Sequence, residues 1–156
     1  MEAATAVTVT ATPQTVKLGF FDATTPAVAK IASGTEVLIE TVSGDAPFLP
    51  SEPGYEILPE HHPIIAGAER GPGPHFLTGP IYVEGARPGD GLQVDILDVA
   101  LRQNWGFNLI IPLMGTIPED FPDFRMQILP LDKTAGTVQL PWGGKLPLSP
   151  FFGFLA

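Results

Sequence analysis

The apolar residues of this chain recur in short runs, and the clearest run alternates apolar with polar residues. In GLQVDILDV (91–99), the residues Leu92, Val94 and Ile96 occupy every second position, with Gln93 among the residues between them. Alternation with a period of two places every second side chain on the same face of a β-strand. This segment therefore predicts a half-buried strand.

Five other stretches are rich in β-branched and aromatic residues and follow or precede turn signals, as strands do. They are VKLGFF (16–21), EVLIETV (36–42), FNLIIPL (107–113), FRMQILPL (124–131) and KTAGTVQL (133–140). Helical signals are weak, and only PEDFPD (118–123) predicts a turn of helix, because proline suits a first helical position with acidic residues behind it. We predict one all-β (mainly β), β-sandwich-like domain over residues 1–156, with long loops and little helix.

The composition supports this fold class and excludes several kinds of function. Seventeen glycines and 18 prolines suit many turns, and the chain has a net charge of −9 with only eight Lys and Arg residues and no basic cluster. Nucleic acid and anionic membranes are therefore not expected partners. The absence of cysteine excludes a disulfide scaffold, a thiol nucleophile and a cysteine zinc site. Because no secretory signal and no membrane span is found, we expect a cytoplasmic protein.

Carboxylates and histidines are the remaining candidates for chemistry, since the chain contains no G-x-S-x-G, P-loop or H-E-x-x-H motif. His75 precedes a predicted strand and could act as a metal ligand or a base, or be a structural histidine. If Ile81 and Val83 face the core, Tyr82 and Glu84 share the opposite face. Glu84 could there bind a metal or accept a proton from water, or be an ordinary exposed glutamate.

Two further polar groups favour structural interpretations. His61 and His62 are adjacent, so in a strand their side chains would point in opposite directions and would not ligate one metal. We expect them in a solvated loop, within a loop-rich stretch (46–77) that contains all three histidines. Pro88 and Gly89 suit the central positions of a type II turn that Asp90 closes.

Three segments together resemble the acetamidase/formamidase family. GPHFLTGPIYVEGARPGDGLQVDILDV (73–99) is similar to the family phrase H-x-L-T-G-P-x-x-V-x-G-A-x-P-G-D, PAVAKIASGTEVLIET (26–41) to its early turn-and-strand segment, and LPLSPFFG (146–153) to its P-F-F-G phrase. The resemblance implies hydrolysis of a small carboxamide such as formamide or acetamide, or of a cyclic amide such as a γ-lactam. It also implies a divalent metal, zinc or calcium.

On this resemblance we assign Glu84 as the base or orienting group and His75 as a metal ligand or oxyanion stabiliser. Thr78 and Tyr82 are assigned to substrate binding. One departure from the family pattern is Arg87, which stands where an acidic residue is frequent and is expected to change only surface charge.

A second departure concerns the part of the family sequence that follows P-F-F-G, where a second half with a G-D-x-H-type segment supplies metal ligands. The apolar stretch PFFGFLA (150–156) would normally be buried against something further along the chain. The resemblance therefore implies the N-terminal portion of a longer amidase, with the C-terminal half of that enzyme as a partner and a homo-oligomeric assembly. The alternative is a non-catalytic β-sandwich assembly module, or a module that binds a small ligand or carbohydrate.

Overall fold

The structure is a computed structural model that describes residues 6–155. Helix accounts for only 9% of the chain, which confirms the predicted mainly-β class. Within these residues the strands are β1 (Val7–Val9), β2 (Val16–Leu18), β3 (Ala29–Ile31), β4 (Val37–Ile39), β5 (Glu69–Arg70), β6 (Phe76–Thr78), β7 (Ile81–Val83), β8 (Trp105–Ile110), β9 (Arg125–Asp132), β10 (Thr137–Gln139) and β11 (Lys145–Pro147). The helical elements are α1 (His61–Gly67) and the 3-10 helices Ala46–Phe48 and Pro118–Asp120.

The described chain forms two compact units. The first consists of residues 6–47 and 59–95, and the second of residues 48–58 and 96–155. The single domain over residues 1–156 stays a prediction. No helix among residues 6–155 is long and apolar enough to cross a membrane.

The first unit contains three small sheets, and each is built from strands that are distant in sequence. β1 pairs with β4 in parallel, and β3 pairs with β7 in parallel. β2 lies between β5, to which it is parallel, and β6, to which it is antiparallel. The buried apolar residues of this unit are Val9, Ala11, Val16, Leu18, Val42, Ile64 and Ala68. The core therefore lies around β1, β2 and α1.

The second unit is a four-stranded antiparallel sheet in the order β11-β10-β9-β8. Its fully buried aromatic residue is Trp105, whose indole N–H donates a hydrogen bond to the carbonyl oxygen of Glu56 at 2.9 Å. The side chain of Asn104 accepts a hydrogen bond from the Glu56 N–H and donates one to the carbonyl oxygen of Gly54, the two residues that flank Tyr55. These contacts attach residues 54–56 to the start of β8.

The predicted strand over residues 91–99 is wrong, because this segment belongs to none of the strands described in residues 6–155. Leu92 is 70% exposed, and Val94 and Ile96 are exposed as well. An alternating pattern produces a half-buried strand only where a neighbouring strand and a core are available. The pattern alone does not supply that neighbour.

The expectation of a solvated loop at His61 is also wrong. His61 begins α1 and is fully buried, and its Nε2 atom lies 2.9 Å from the carbonyl oxygen of Gly44. Pro63 lies in the first turn, where a missing N–H costs no helical hydrogen bond, and Ile64 packs into the core. His62 is exposed, as expected, but it lies in α1 rather than in a loop.

Candidate active site

Strand β7 presents the two candidate residues that sequence alternation placed on one face. Ile81 and Val83 are half-buried, whereas Tyr82 and Glu84 are exposed. This exposure pattern agrees with the predicted orientation of the strand. The parallel register with β3 then sets Lys30 opposite Tyr82.

Lys30 connects the exposed side chains of this face. Its Nζ atom lies 2.9 Å from Oε1 of Glu84 and 5.8 Å from the centroid of the Tyr82 ring. The first distance is a salt bridge, and the second lies within the range of a cation–π interaction. All three side chains are largely exposed, so each contact is individually weak. The structure thus brings Lys30, Tyr82 and Glu84 into one cluster.

The backbone on both sides of Glu84 is fixed. The Glu84 N–H donates to the carbonyl oxygen of Ile31 at 2.8 Å, which continues the β3–β7 pairing. Gly85 follows with a φ of +81°, a left-handed conformation that glycine adopts without strain. Glu84 therefore sits at a defined strand end before a turn.

The next turn is the one that the sequence predicted. Gly89 has a φ of +99°, and the Asp90 N–H donates to the carbonyl oxygen of Arg87 at 3.0 Å. The Asp90 carboxylate accepts the Arg87 N–H at 2.9 Å. Proline followed by a positive-φ glycine is the signature of a type II turn, so Asp90 has a structural role here.

An open depression adjoins the Lys30–Tyr82–Glu84 cluster. Its cavity volume is about 580 Å³, and it is lined by residues 27–30 and Tyr82. The lining is small and apolar apart from Lys30 and the tyrosine ring. A molecule of a few heavy atoms would fit there.

His75 lies elsewhere in the first unit, one residue before β6, and its side chain is exposed. Its carbonyl oxygen accepts the N–H of Gly19 at 2.8 Å, and the Gly73 N–H donates to the Gly19 carbonyl at 2.9 Å. Gly19 has a φ of +79°, and a methyl group added to it would lie 2.1 Å from the Gly73 carbonyl oxygen. The contact between the backbones of Gly19 and Gly73 therefore fixes the position of the His75 backbone.

Thr78 ends β6 with its hydroxyl already engaged. The Oγ1 atom donates a hydrogen bond to the carbonyl oxygen of Glu40 at 2.8 Å. The Gly79–Pro80 peptide bond after it is cis, and the Pro80 carbonyl accepts the Val28 N–H at 2.9 Å. His75 and Thr78 thus belong to the β5-β2-β6 sheet, whereas Tyr82 and Glu84 belong to the β3–β7 pair.

The divalent metal that the family resemblance implies would need ligands beyond those in the described residues. Among residues 6–155, no group of three or more His, Asp or Glu side chains could hold a metal ion. Residues 6–155 therefore do not form a complete metal-binding group by themselves. The divalent metal stays a prediction.

An ion pair that the sequence did not reveal ties the region around residue 45 to α1 and β5. The Arg70 guanidinium donates to both carboxylate oxygens of Asp45, at 2.8 and 3.0 Å, and to the Ile65 carbonyl at 2.7 Å. The Arg70 hydrogen bond holds the pKa of Asp45 below its usual value of 3.8. The partners lie 25 residues apart, and no local pattern marks such a pair.

Comparison with known proteins connects this chain to amide-hydrolysing enzymes. The family model described as "Acetamidase/Formamidase family" matches residues 71–156, more than half of the chain. The formamidase of Methylophilus methylotrophus is 61% identical over 54 residues, covering 31% of this chain and 13% of the formamidase. The acetamidase of Mycolicibacterium smegmatis is 39% identical over 61 residues, covering 31% of this chain and 15% of the acetamidase.

The chain covers less than two thirds of the length of either relative. No solved structure matches it significantly. The family match contains all four residues that were assigned to the site, namely His75, Thr78, Tyr82 and Glu84.

Proposed function

Because this chain belongs to the acetamidase/formamidase family, we propose that it is one part of an amidohydrolase that cleaves a short carboxamide into a carboxylate and ammonia. The observation that carries the proposal is the cluster of Lys30, Tyr82 and Glu84 beside an open depression, with Tyr82 and Glu84 inside the family match. Formamide and acetamide are the first substrates to test, and a γ-lactam is the cyclic alternative.

Glu84 is the proposed general base of this reaction. Its carboxylate takes a proton from water, the water oxygen forms a bond to the amide carbon, and the carbon–nitrogen bond breaks as the nitrogen leaves as ammonia with the transferred proton. Lys30 contacts one carboxylate oxygen of Glu84 and also lines the depression, so it holds the carboxylate beside the depression. Tyr82 lines that depression and is the proposed substrate-binding residue.

His75 is proposed to stabilise the oxyanion, and Thr78 is proposed to bind the substrate. His75 is also the proposed metal ligand within this chain. A bound divalent metal would polarise the amide carbonyl. Since no group of three ligand side chains is present in residues 6–155, the other ligands would come from the C-terminal half of the enzyme, which is the proposed partner.

The test measures ammonia release by this chain, alone and co-expressed with the region of the M. methylotrophus formamidase that follows its matched segment. Substrates are formamide, acetamide and a γ-lactam (for the lactam, ring opening is measured), each with and without a chelator. Glu84→Gln is expected to lower turnover of the complex by about 10²- to 10⁴-fold.

Glu69→Gln is the matched control for Glu84→Gln. Glu69 is also an exposed glutamate, and it forms a 2.7 Å ion pair with Lys17 on the parallel partner strand. It is expected to leave turnover unchanged. Full activity of the complex with Glu84→Gln would show that Glu84 is not the general base. A complex that is inactive on every short amide would refute the proposed reaction.

The second candidate function is a non-catalytic assembly or small-ligand-binding module. It is favoured by the lack of a three-residue metal group among residues 6–155 and by the exposure of His75 and Glu84. Binding of an amide or sugar without turnover would support it. The cytoplasmic location and the homo-oligomer stay predictions.

A further inference from the structure

The connection between β8 and β9 exposes a concentration of large apolar side chains. This apolar loop, residues 111–124, is far longer than the usual hairpin connection of 2–5 residues. Leu113 is 90% exposed and Met114 is 64% exposed. The other exposed apolar side chains of the loop are Ile111, Ile117, Phe121 and Phe124. Such a cluster on one loop is typical of a surface that another molecule covers.

The backbone of the loop points to the same conclusion independently. Leu113 has a φ of +63° and is the one non-glycine residue with positive φ among the described residues. The Met114 N–H donates to the Ile111 carbonyl oxygen at 3.1 Å, so a turn holds Leu113 in this conformation. A leucine pays a steric penalty there that a glycine would avoid. Strained backbone conformations cluster at functional sites, and the Leu113 side chain is directed into solvent.

The charges of the loop restrict what can cover it. Glu119, Asp120 and Asp123 are exposed on the loop, which contains no basic residue, and Arg125 comes directly after it. A second copy of this chain carries a net charge of −9 with eight Lys and Arg residues, so it is electrostatically unsuited to this surface. An apolar groove bordered by basic side chains would be complementary.

We propose that the apolar loop docks into such a groove on the C-terminal half of the amidase, the partner that completes the active site. This inference rests on the proposed function. The loop lies inside the family match, and the two relatives extend far beyond their matched segments, which cover 13% and 15% of them. The two relatives therefore contain further residues, outside their matched segments, that can cover the loop.

The experiment captures the C-terminal region of the M. methylotrophus formamidase with a tagged form of this chain after co-expression, and light scattering gives the stoichiometry. A one-to-one complex is expected. Leu113→Gly and Met114→Asp are each expected to weaken capture about tenfold or more, because a few side chains that become buried at the centre of an interface supply most of its affinity. Leu113→Gly relieves the backbone strain, so the Tm of the free chain should not fall.

Leu38→Asp is the matched control. Leu38 is an apolar residue of β4 with 58% exposure, and it lies in the first unit. Capture by Leu38→Asp should equal that of the unchanged chain. Full capture by the two loop variants, no capture by the unchanged chain, or a homodimer that Leu113→Gly dissociates would each overturn the docking proposal.

The amide assay separates this proposal from the reaction that it rests on. A complex that forms through the loop but releases no ammonia would refute the reaction alone. Ammonia release that is equal in the unchanged complex and in both loop variants would refute the docking alone.

Discussion

Replacing Gly19 by alanine should destabilise the first unit at the point where it holds His75. The methyl group would lie 2.1 Å from the Gly73 carbonyl oxygen and 2.5 Å from the Gly73 nitrogen, against 3.4–4 Å for an ordinary contact. The Gly73 backbone would have to move. That movement would disturb the hydrogen bonds from Gly19 to His75 and from Gly73 to Gly19.

The expected cost can be assembled from four effects. The left-handed conformation of Gly19 costs an alanine about 1–2 kcal/mol, and the reduced entropy of the unfolded chain returns about 0.4–1 kcal/mol. Overpacking of a rigid site adds about 1–3 kcal/mol, and each weakened hydrogen bond adds about 1 kcal/mol. With the two hydrogen bonds weakened, we expect a total loss of about 3–7 kcal/mol in the free energy of unfolding, a large share of the 5–15 kcal/mol of a typical domain.

Gly34→Ala separates backbone strain from collision. Gly34 has a φ of +81°, close to that of Gly19, but an added methyl group would meet nothing within 4 Å. Its expected cost is therefore about 1 kcal/mol, from the conformation alone. The difference between the two variants reports the contact with Gly73.

Hydrogen exchange of the amides of β2 and β6 is the suitable measurement. Both tryptophans, Trp105 and Trp142, lie in the second unit, so their fluorescence does not report on the first. Gly19→Ala should accelerate exchange in both strands far more than Gly34→Ala does. Free energies within about 0.5 kcal/mol of each other would refute the reasoning, because independent surface changes differ by no more than that.

Two further changes test contacts elsewhere in the first unit. The pKa of Asp45 is lowered in the folded protein, so its ionised carboxylate stabilises the fold above pH 3.8, and this contribution is lost as the pH falls through the folded pKa. Asp45→Asn should therefore lower the Tm at neutral pH and change it less at about pH 3, and an equal change at both would contradict the role of the charge. Thr78→Val should cost about 1 kcal/mol by removing the hydrogen bond to the Glu40 carbonyl, whereas Thr78→Ser should retain it. A urea titration in which both variants match the unchanged chain would show that this bond contributes nothing.

The features that the sequence predicted correctly are those that depend on neighbouring residues. The exposure of Tyr82 and Glu84 follows from the alternation within β7, and the turn at Asp90 follows from proline and glycine beside it. The turn of helix at residues 118–120 follows in the same way from a proline with acidic residues behind it. Local conformational rules are sufficient in these cases.

The features that could not be predicted from the sequence depend on residues that are far apart along the chain. The salt bridge between Lys30 and Glu84 requires the parallel pairing of β3 with β7, whose register cannot be read from either strand alone. His61 is buried with its Nε2 atom against the carbonyl oxygen of Gly44, which lies 17 residues away. The segment 91–99 carries a strand pattern but receives no neighbouring strand within residues 6–155.

The parallel pairings of the first unit also determine how quickly it can form. Lys17 and Glu69, which face each other in β2 and β5, are 52 residues apart, and β3 and β7 are separated by a similar length of chain. Such strands cannot meet until the chain between them has closed a large loop, an entropic cost that precedes any stabilising contact. The first unit should therefore fold slowly, and the cluster of Lys30, Tyr82 and Glu84 should be among the last parts of it to assemble.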